Sequence, residues 1–288
     1  MKPRHLPKAR AQAARYLVLP NIAMSANSDD GREQDALRAL GDNLRAAELY
    51  WVTPDMAALA ISAGSQLAAA RWATVDRPSA CGLIMWDGGI GNVTERGVTI
   101  PVEGCAWGPY KGELLVWYLM SRDRLADEIS ARGVPWVLGD TPLPPLLPVA
   151  GDTLPITAEP VPMAELDVTA PPVLGALAAA WLLMEQPQLV DRTQQAADKA
   201  DRRSSARAGM PDPTVTIVDL RRQYVPADSE PGDPGRQYRH RWVVSGHWRN
   251  QPYGEGREQR RRQWIPAYVK GPDGAPLLAT ERVNVWRR

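Results

Sequence analysis

The chain has 288 residues, a formal net charge of +1, and 44 % hydrophobic against 23 % charged residues. That balance excludes a wholly disordered chain, and the length allows one large or two ordinary domains with a sizeable core. Phenylalanine is absent, tryptophan occurs eleven times, and only five of the 34 basic residues are lysine. This is first a bias of a GC-rich coding sequence, but it fills the surface with guanidinium forks that chelate and stack as ammonium groups do not.

The near-zero net charge hides a division. Residues 236–288 hold twelve basic and four acidic residues, a balance of +8, so the first 235 residues balance at −7. A basic module on an acidic body points to nucleic acid or another anionic surface. The basic N-terminal stretch lacks the apolar core and cleavage site of a signal peptide. The longest apolar run, Val173 to Met184, is too short to span a bilayer. A soluble protein of the cytoplasm is expected. Cys81 and Cys105 form no CxxC pair and read as reduced thiols.

In chain order, residues 8–26 have helical composition. Leu37, Leu40, Leu44 and Leu49 then repeat near helical spacing. "VTPDMAALAISAG" predicts a third helix, with Thr53 to cap, Pro54 at the first position and Gly64 either ending the helix or lying within a longer one. The period then changes to strands: "SACGLIMW", a "DGGIGN" turn, "VTERGVTIPV" and "KGELLVWYLMS" read as an antiparallel meander covered by the N-terminal helices. Residues 141–172 contain nine prolines and read as an extended connector. "VLGALAAAWLLME" predicts an apolar helix buried on most sides, a polar arginine-bearing stretch follows, and "TVTIVDL" restores strand character.

The final module reads as a small sheet. In "RQYRHRWVVSGHWRN", alternation puts Tyr238, Trp242, Val244 and Trp248 on one face and Arg239, Arg241, Val243, His247 and Arg249 on the other. "NQPYGEG" reads as a loop, "RRRQWIPAYVKG" as a second strand and "RVNVWRR", with Trp286, as a third. The expected class is therefore α+β: N-terminal helices with an antiparallel β-meander over 1–140, a Pro-rich connector over 141–172, and an apolar helix with a small antiparallel β module over 173–288.

No HExxH, GxSxG or Walker lysine is present, and no cysteine or histidine cluster has metal-ligand spacing, so no cofactor or metal is expected. His247 and Arg249 share a face and are the only candidates for catalysis: an imidazole to move a proton beside a cation to hold a phosphate. A histidine that holds a neighbouring strand or loop is the plainer reading. The candidate nucleic-acid contacts are Arg239, Arg241, His247, Arg249, Arg257, Arg260, Arg261, Arg262 and Lys270. Trp242, Trp248, Trp264 and Trp286 are expected as core rather than as base-stacking platforms.

"WVTPDMAALA", "DRRSSARAGMPDPTVTIVDLR" and "VVSGHWRNQPYGEG…RRRQWIPAYVKG" together resemble a group of phage and prophage proteins related to the type V-A anti-CRISPR family. The resemblance is strongest over residues 200–288 and marks His247, Arg249, Trp264 and Gly271 as family-like positions. It implies recognition of the type V-A nuclease's emerging N-terminal peptide and loss of its messenger RNA. The leading reading is a phage counter-defence or host-takeover adaptor. It would bind a host protein or nascent polypeptide through its body and engage RNA or the ribosome through its basic module. A metal-independent ribonuclease using His247, and a DNA-binding phage regulatory protein, are the alternatives.

Overall fold

Apolar residues at helical spacing open the chain, and helices form there. The computed structural model describes residues 1–19, 31–67, 71–95, 97–133, 143–211, 213–221, 242–266 and 268–270. Helix α1 spans Leu6–Leu17 and α2 spans Gly31–Ala46. Leu49, which the leucine spacing placed in a helix, lies instead in strand β1, Glu48–Val52. Tyr50, Trp51 and Val52 favour a pleated surface, and the strand is buried on both sides, so tertiary burial overrides the leucine spacing. Helix α3 follows over Pro54–Ser65 with Pro54 in its first turn. Thr53 holds the N-cap position, but its hydroxyl donates to Asp219 Oδ1 at 2.6 Å instead of accepting from the helix.

Strands follow. Arg71–Trp72 is β2, Gly82–Trp86 β3, Gly91–Glu95 β4, Val98–Val102 β5, Gly104–Tyr110 β6 and Glu113–Ser121 β7. The expected return strand after the Gly88–Gly89 turn is in fact two, because Gly97 turns the chain at φ 79°. β4 and β5 pair with each other, and β6 takes the place beside β3. Helix α4 is Arg122–Ala131, β8 Leu146–Pro155, β9 Val161–Pro162, α5 Pro171–Met184, β10 Val190–Gln195, α6 Lys199–Arg207 and β11 Val215–Leu220.

Seven strands form one sheet in the order β10-β11-β1-β3-β6-β7-β8. The α+β class holds, but the sheet is wider than the expected meander and is mixed: β1 runs parallel to both β11 and β3. The segment expected as a connector differs as well. Its prolines are compatible with a sheet edge, where a missing N–H breaks no ladder, and β8 pairs along β7 as the edge strand. Asp152 of β8 accepts from the Tyr118 hydroxyl at 2.5 Å and from the Thr169 amide and hydroxyl at 2.9 and 2.7 Å. The chain divides into two units, Met1–Leu220 and Arg221–Arg288, so its boundary falls after β11.

Alternation along the strands separates two cores. Leu49, Trp51, Leu83, Met85 and Leu119 join the leucines of α1 and α2. On the other face, Trp107 stacks on Tyr50 at 5.9 Å and meets Trp181 of α5 edge-on at 5.1 Å. Every residue of α5 from Val173 to Met184 is buried, which is why its sequence has no polar stripe. Cys81 is a half-buried and Cys105 a buried free thiol. Among the described residues, no helix is long and apolar enough to cross a membrane.

Helices α3 and α5 cross at two glycines. A Cβ on Gly64 would lie 2.6 Å from the Ala176 amide nitrogen, and one on Gly175 would lie 3.1 Å from the Gly64 carbonyl. Gly64 therefore sits within α3 for close approach, not as a helix terminator. Gly64→Ala gains about 1 kcal/mol of helix propensity but forces two backbones apart, at roughly 1–3 kcal/mol or more. A net loss of stability in urea unfolding is expected. A neutral or stabilised variant would show that the helices separate without cost.

Candidate nucleic-acid interface

The second unit is described through four short strands. β12, Trp242–Val244, pairs antiparallel with β15, Tyr268–Lys270. β13, His247–Tyr253, pairs antiparallel with β14, Gln259–Ile265. The continuous strand expected through Trp242 and Arg249 is broken at Ser245 and Gly246, so alternation does not carry from Trp242 to Trp248. Tyr238, Arg239, Arg241 and Trp286 lie outside the described residues, as does the side chain of Lys270.

β13 and β14 form a ribbon whose register is fixed by His247↔Ile265, Trp248↔Trp264 and Arg249↔Gln263. Four of the seven residues of the expected loop "NQPYGEG" belong to it, since Asn250 to Tyr253 continue the strand. The turn is confined to Gly254–Glu258. Gly254 and Gly256 take φ of 79° and 63°, values that glycine reaches without strain, and Arg257 joins them at 58°.

Directly opposed residues share a face. Trp248, Trp264, Asn250, Arg262, Pro252 and Arg260 fall on one. Trp264 is 3 % exposed and meets Trp248 edge-on, with ring centroids 5.3 Å apart. The other face carries His247, Arg249, Gln251, Tyr253, Gln259, Arg261, Gln263 and Ile265. There the Arg261 guanidinium lies over the Tyr253 ring at 5.5 Å, a contact that orients the fork. Tyr253 is 41 % exposed. Reading its segment as a loop concealed it; alternation from His247 through Gln251 was the available signal.

Residues 245–265 hold Arg249, Arg257, Arg260, Arg261 and Arg262 against Glu255 and Glu258. Among the described residues, Arg249, Arg257, Arg260 and Arg261 have no acidic partner. Exposed charges that neutralise no neighbour remain available to an external anion. His247 is exposed, and its Nδ1 lies 3.2 Å from the Ser245 carbonyl oxygen. A carbonyl only accepts, so Nδ1 carries the proton in that contact, which ties the imidazole to the break between β12 and β13.

Residues 170–271 match the AcrVA2-like family, described as the anti-CRISPR type V subtype A2 family. The match spans about a third of the chain. It runs from α5 through the β13–β14 ribbon, and so includes His247, Arg249, Trp264 and the arginine run. No curated protein matches the chain.

The two tryptophan roles separate by experiment. Trp264→Ala should lower stability by about 3–5 kcal/mol, as expected for a buried indole removed from a packed site. A variant that keeps its unfolding midpoint and loses only ligand binding would reassign Trp264 as a stacking surface.

Proposed function

We propose that the chain is a counter-defence adaptor whose second unit binds RNA, free or on the ribosome, and whose first unit recognises a host protein or nascent polypeptide, lowering production of that target. The observation that carries the RNA half is the ribbon face on which Arg249 and Arg261 stand without acidic partners among polar residues. Glutamine neighbours leave that face wet and hydrogen-bonding, and Tyr253 supplies a π-face beside a cation, a combination used on single strands. The family match supports the counter-defence half.

Arg249→Gln with Arg261→Gln should weaken binding of single-stranded RNA several-fold. It should also flatten the dependence of log K on log salt by roughly 0.7 for each phosphate that is no longer neutralised. The same affinity and slope as wild type would overturn the assignment of this face.

The ribonuclease reading requires a second proton-transfer group near His247. On its face the next residues are Ile265, Arg249, Gln251, Gln263 and Arg261. Tyr253 lies six residues along the strand, about 20 Å away, too far to serve the same phosphate. His247 is therefore assigned to holding the strand junction. His247→Gln should retain most RNA binding and silencing activity, and His247→Ala less. Cleavage of RNA by the metal-chelated protein, abolished by His247→Gln with the fold intact, would replace the adaptor with an enzyme.

A further inference from the structure

The charge count makes the first unit acidic, yet one of its surfaces is not. Residues 1–19 contain Lys2, Arg4, Lys8, Arg10 and Arg15 and no carboxylate. α6 adds Lys199, Arg202, Arg203 and Arg207 against Asp201. Between α1, α2 and α6 lies a cavity of about 90 Å³. Ala11, Ala14, Ala208 and Met210 supply its apolar lining; Arg15, Arg45, Ser204 and Ser205 supply its polar lining, and none of it is acidic.

Arginines near helix ends often serve only to cap carbonyls. Here that role is filled by others. The amides of Ala208, Gly209 and Met210 close the end of α6 on Ser204, Ala206 and Ser205 at 3.1, 3.2 and 3.0 Å. At the end of α2, Arg10 donates one guanidinium nitrogen to the Ala47 carbonyl at 2.8 Å. Arg15 and Arg45 make no hydrogen bond or ion pair with a described residue. Arg10 itself is fully buried, one helical turn before Ala14, and its Nε and its other terminal nitrogen have no partner. Burial pulls it down to about 10, which still leaves it charged at neutral pH. Each helix end opposes an anion with about half a charge, less than three full guanidinium charges supply.

We propose that this cavity binds a phosphate group, held by the Arg15 and Arg45 guanidiniums and the Ser204 hydroxyl, with the buried Arg10 cation supplying field from the side of α2. Planar forks approaching from two helices suit a tetrahedral oxyanion. The surrounding lysines and arginines of α1 and α6 favour a phosphate carried on a longer anion. The ligand is a free phosphate or the phosphodiester of an RNA strand. This site stands whether or not the β13–β14 ribbon binds RNA.

The test uses the full chain, Arg15→Gln with Arg45→Gln, and Ser204→Asp. These are exposed positions whose change leaves the core intact. Inorganic phosphate replaces chloride at fixed ionic strength, and the melting temperature is followed. Wild type should show a saturable rise, displaced at least tenfold to higher phosphate in the double variant. Ser204→Asp should start at a higher melting temperature and respond no further, its own carboxylate sitting among the guanidiniums. A non-saturating rise shared by all three proteins is the general effect of an excluded salt and overturns the proposal.

Short 5′-hydroxyl RNA then separates the sources. If RNA is the ligand, phosphate competes with it and the double variant weakens its binding even with Arg249 and Arg261 intact. If free phosphate is the ligand, RNA binding is unchanged while the thermal response is still lost. A double variant with wild-type phosphate response and wild-type RNA affinity overturns the site. Weak RNA binding in Arg249→Gln with Arg261→Gln, beside a normal phosphate response, bears only on the ribbon.

Discussion

The seating of α5 is the constraint on which the first unit depends. Fourteen residues without one charge form a helix that has to be enclosed, and the sheet covers only one of its sides. α3 closes another, and it comes close enough only because Gly64 meets Gly175 and Ala176 backbone to backbone. Trp181 then reaches Trp107 and Trp72, joining the sheet to the short β2 segment. With α5 in place, the loop before it is fixed too, since Thr169 is bonded to Asp152 of the edge strand. Burial pushes the Tyr118 phenol well above its ordinary range, so the hydroxyl facing Asp152 stays a donor at every physiological pH.

The second unit follows the opposite logic. Its ribbon hides one indole and leaves most of its guanidiniums in solvent. Packing anchors the Trp248–Trp264 face, while the Arg249–Arg261 face has nothing within the ribbon to neutralise it. Surface charge held this way contributes little to stability. Its usefulness lies in recognition, where an unpaired cation gains more from an incoming phosphate than one already paired with glutamate.

Much of this was legible in the sequence, and the failures have physical causes. The uniformly apolar α5, the Pro54 helix start and β3 were read from period and punctuation. Leu49 was misplaced because its spacing matched a helix, while the burial that makes it a strand residue is a property of the whole sheet. β6 was missed because "GCAWGPY" alternates poorly and is rich in glycine, yet Gly104 and Gly108 are small because Met85 and Asn43 press against them. The prolines of 146–155 signalled an absent helix correctly and an absent strand incorrectly, since an edge tolerates what an interior strand does not. The cavity between α1, α2 and α6 was invisible: Arg15, Arg45 and Ser204 are far apart in the chain, and averaging charge over 235 residues erased them.

The place of β11 has a consequence for synthesis. β1 lies between β3, made soon after it, and β11, which ends at Leu220. Until that residue leaves the ribosome, β1 presents Tyr50 and Trp51 on an open strand edge, the arrangement most prone to pairing with other chains. The sheet is thus closed from the carboxyl side, by a long-range contact that is slow to form. The family-matched region 170–271 is consequently not a separable module. Its first fifty residues complete the body, and cutting the gene at the start of the match would leave a nascent chain with its central sheet unfinished.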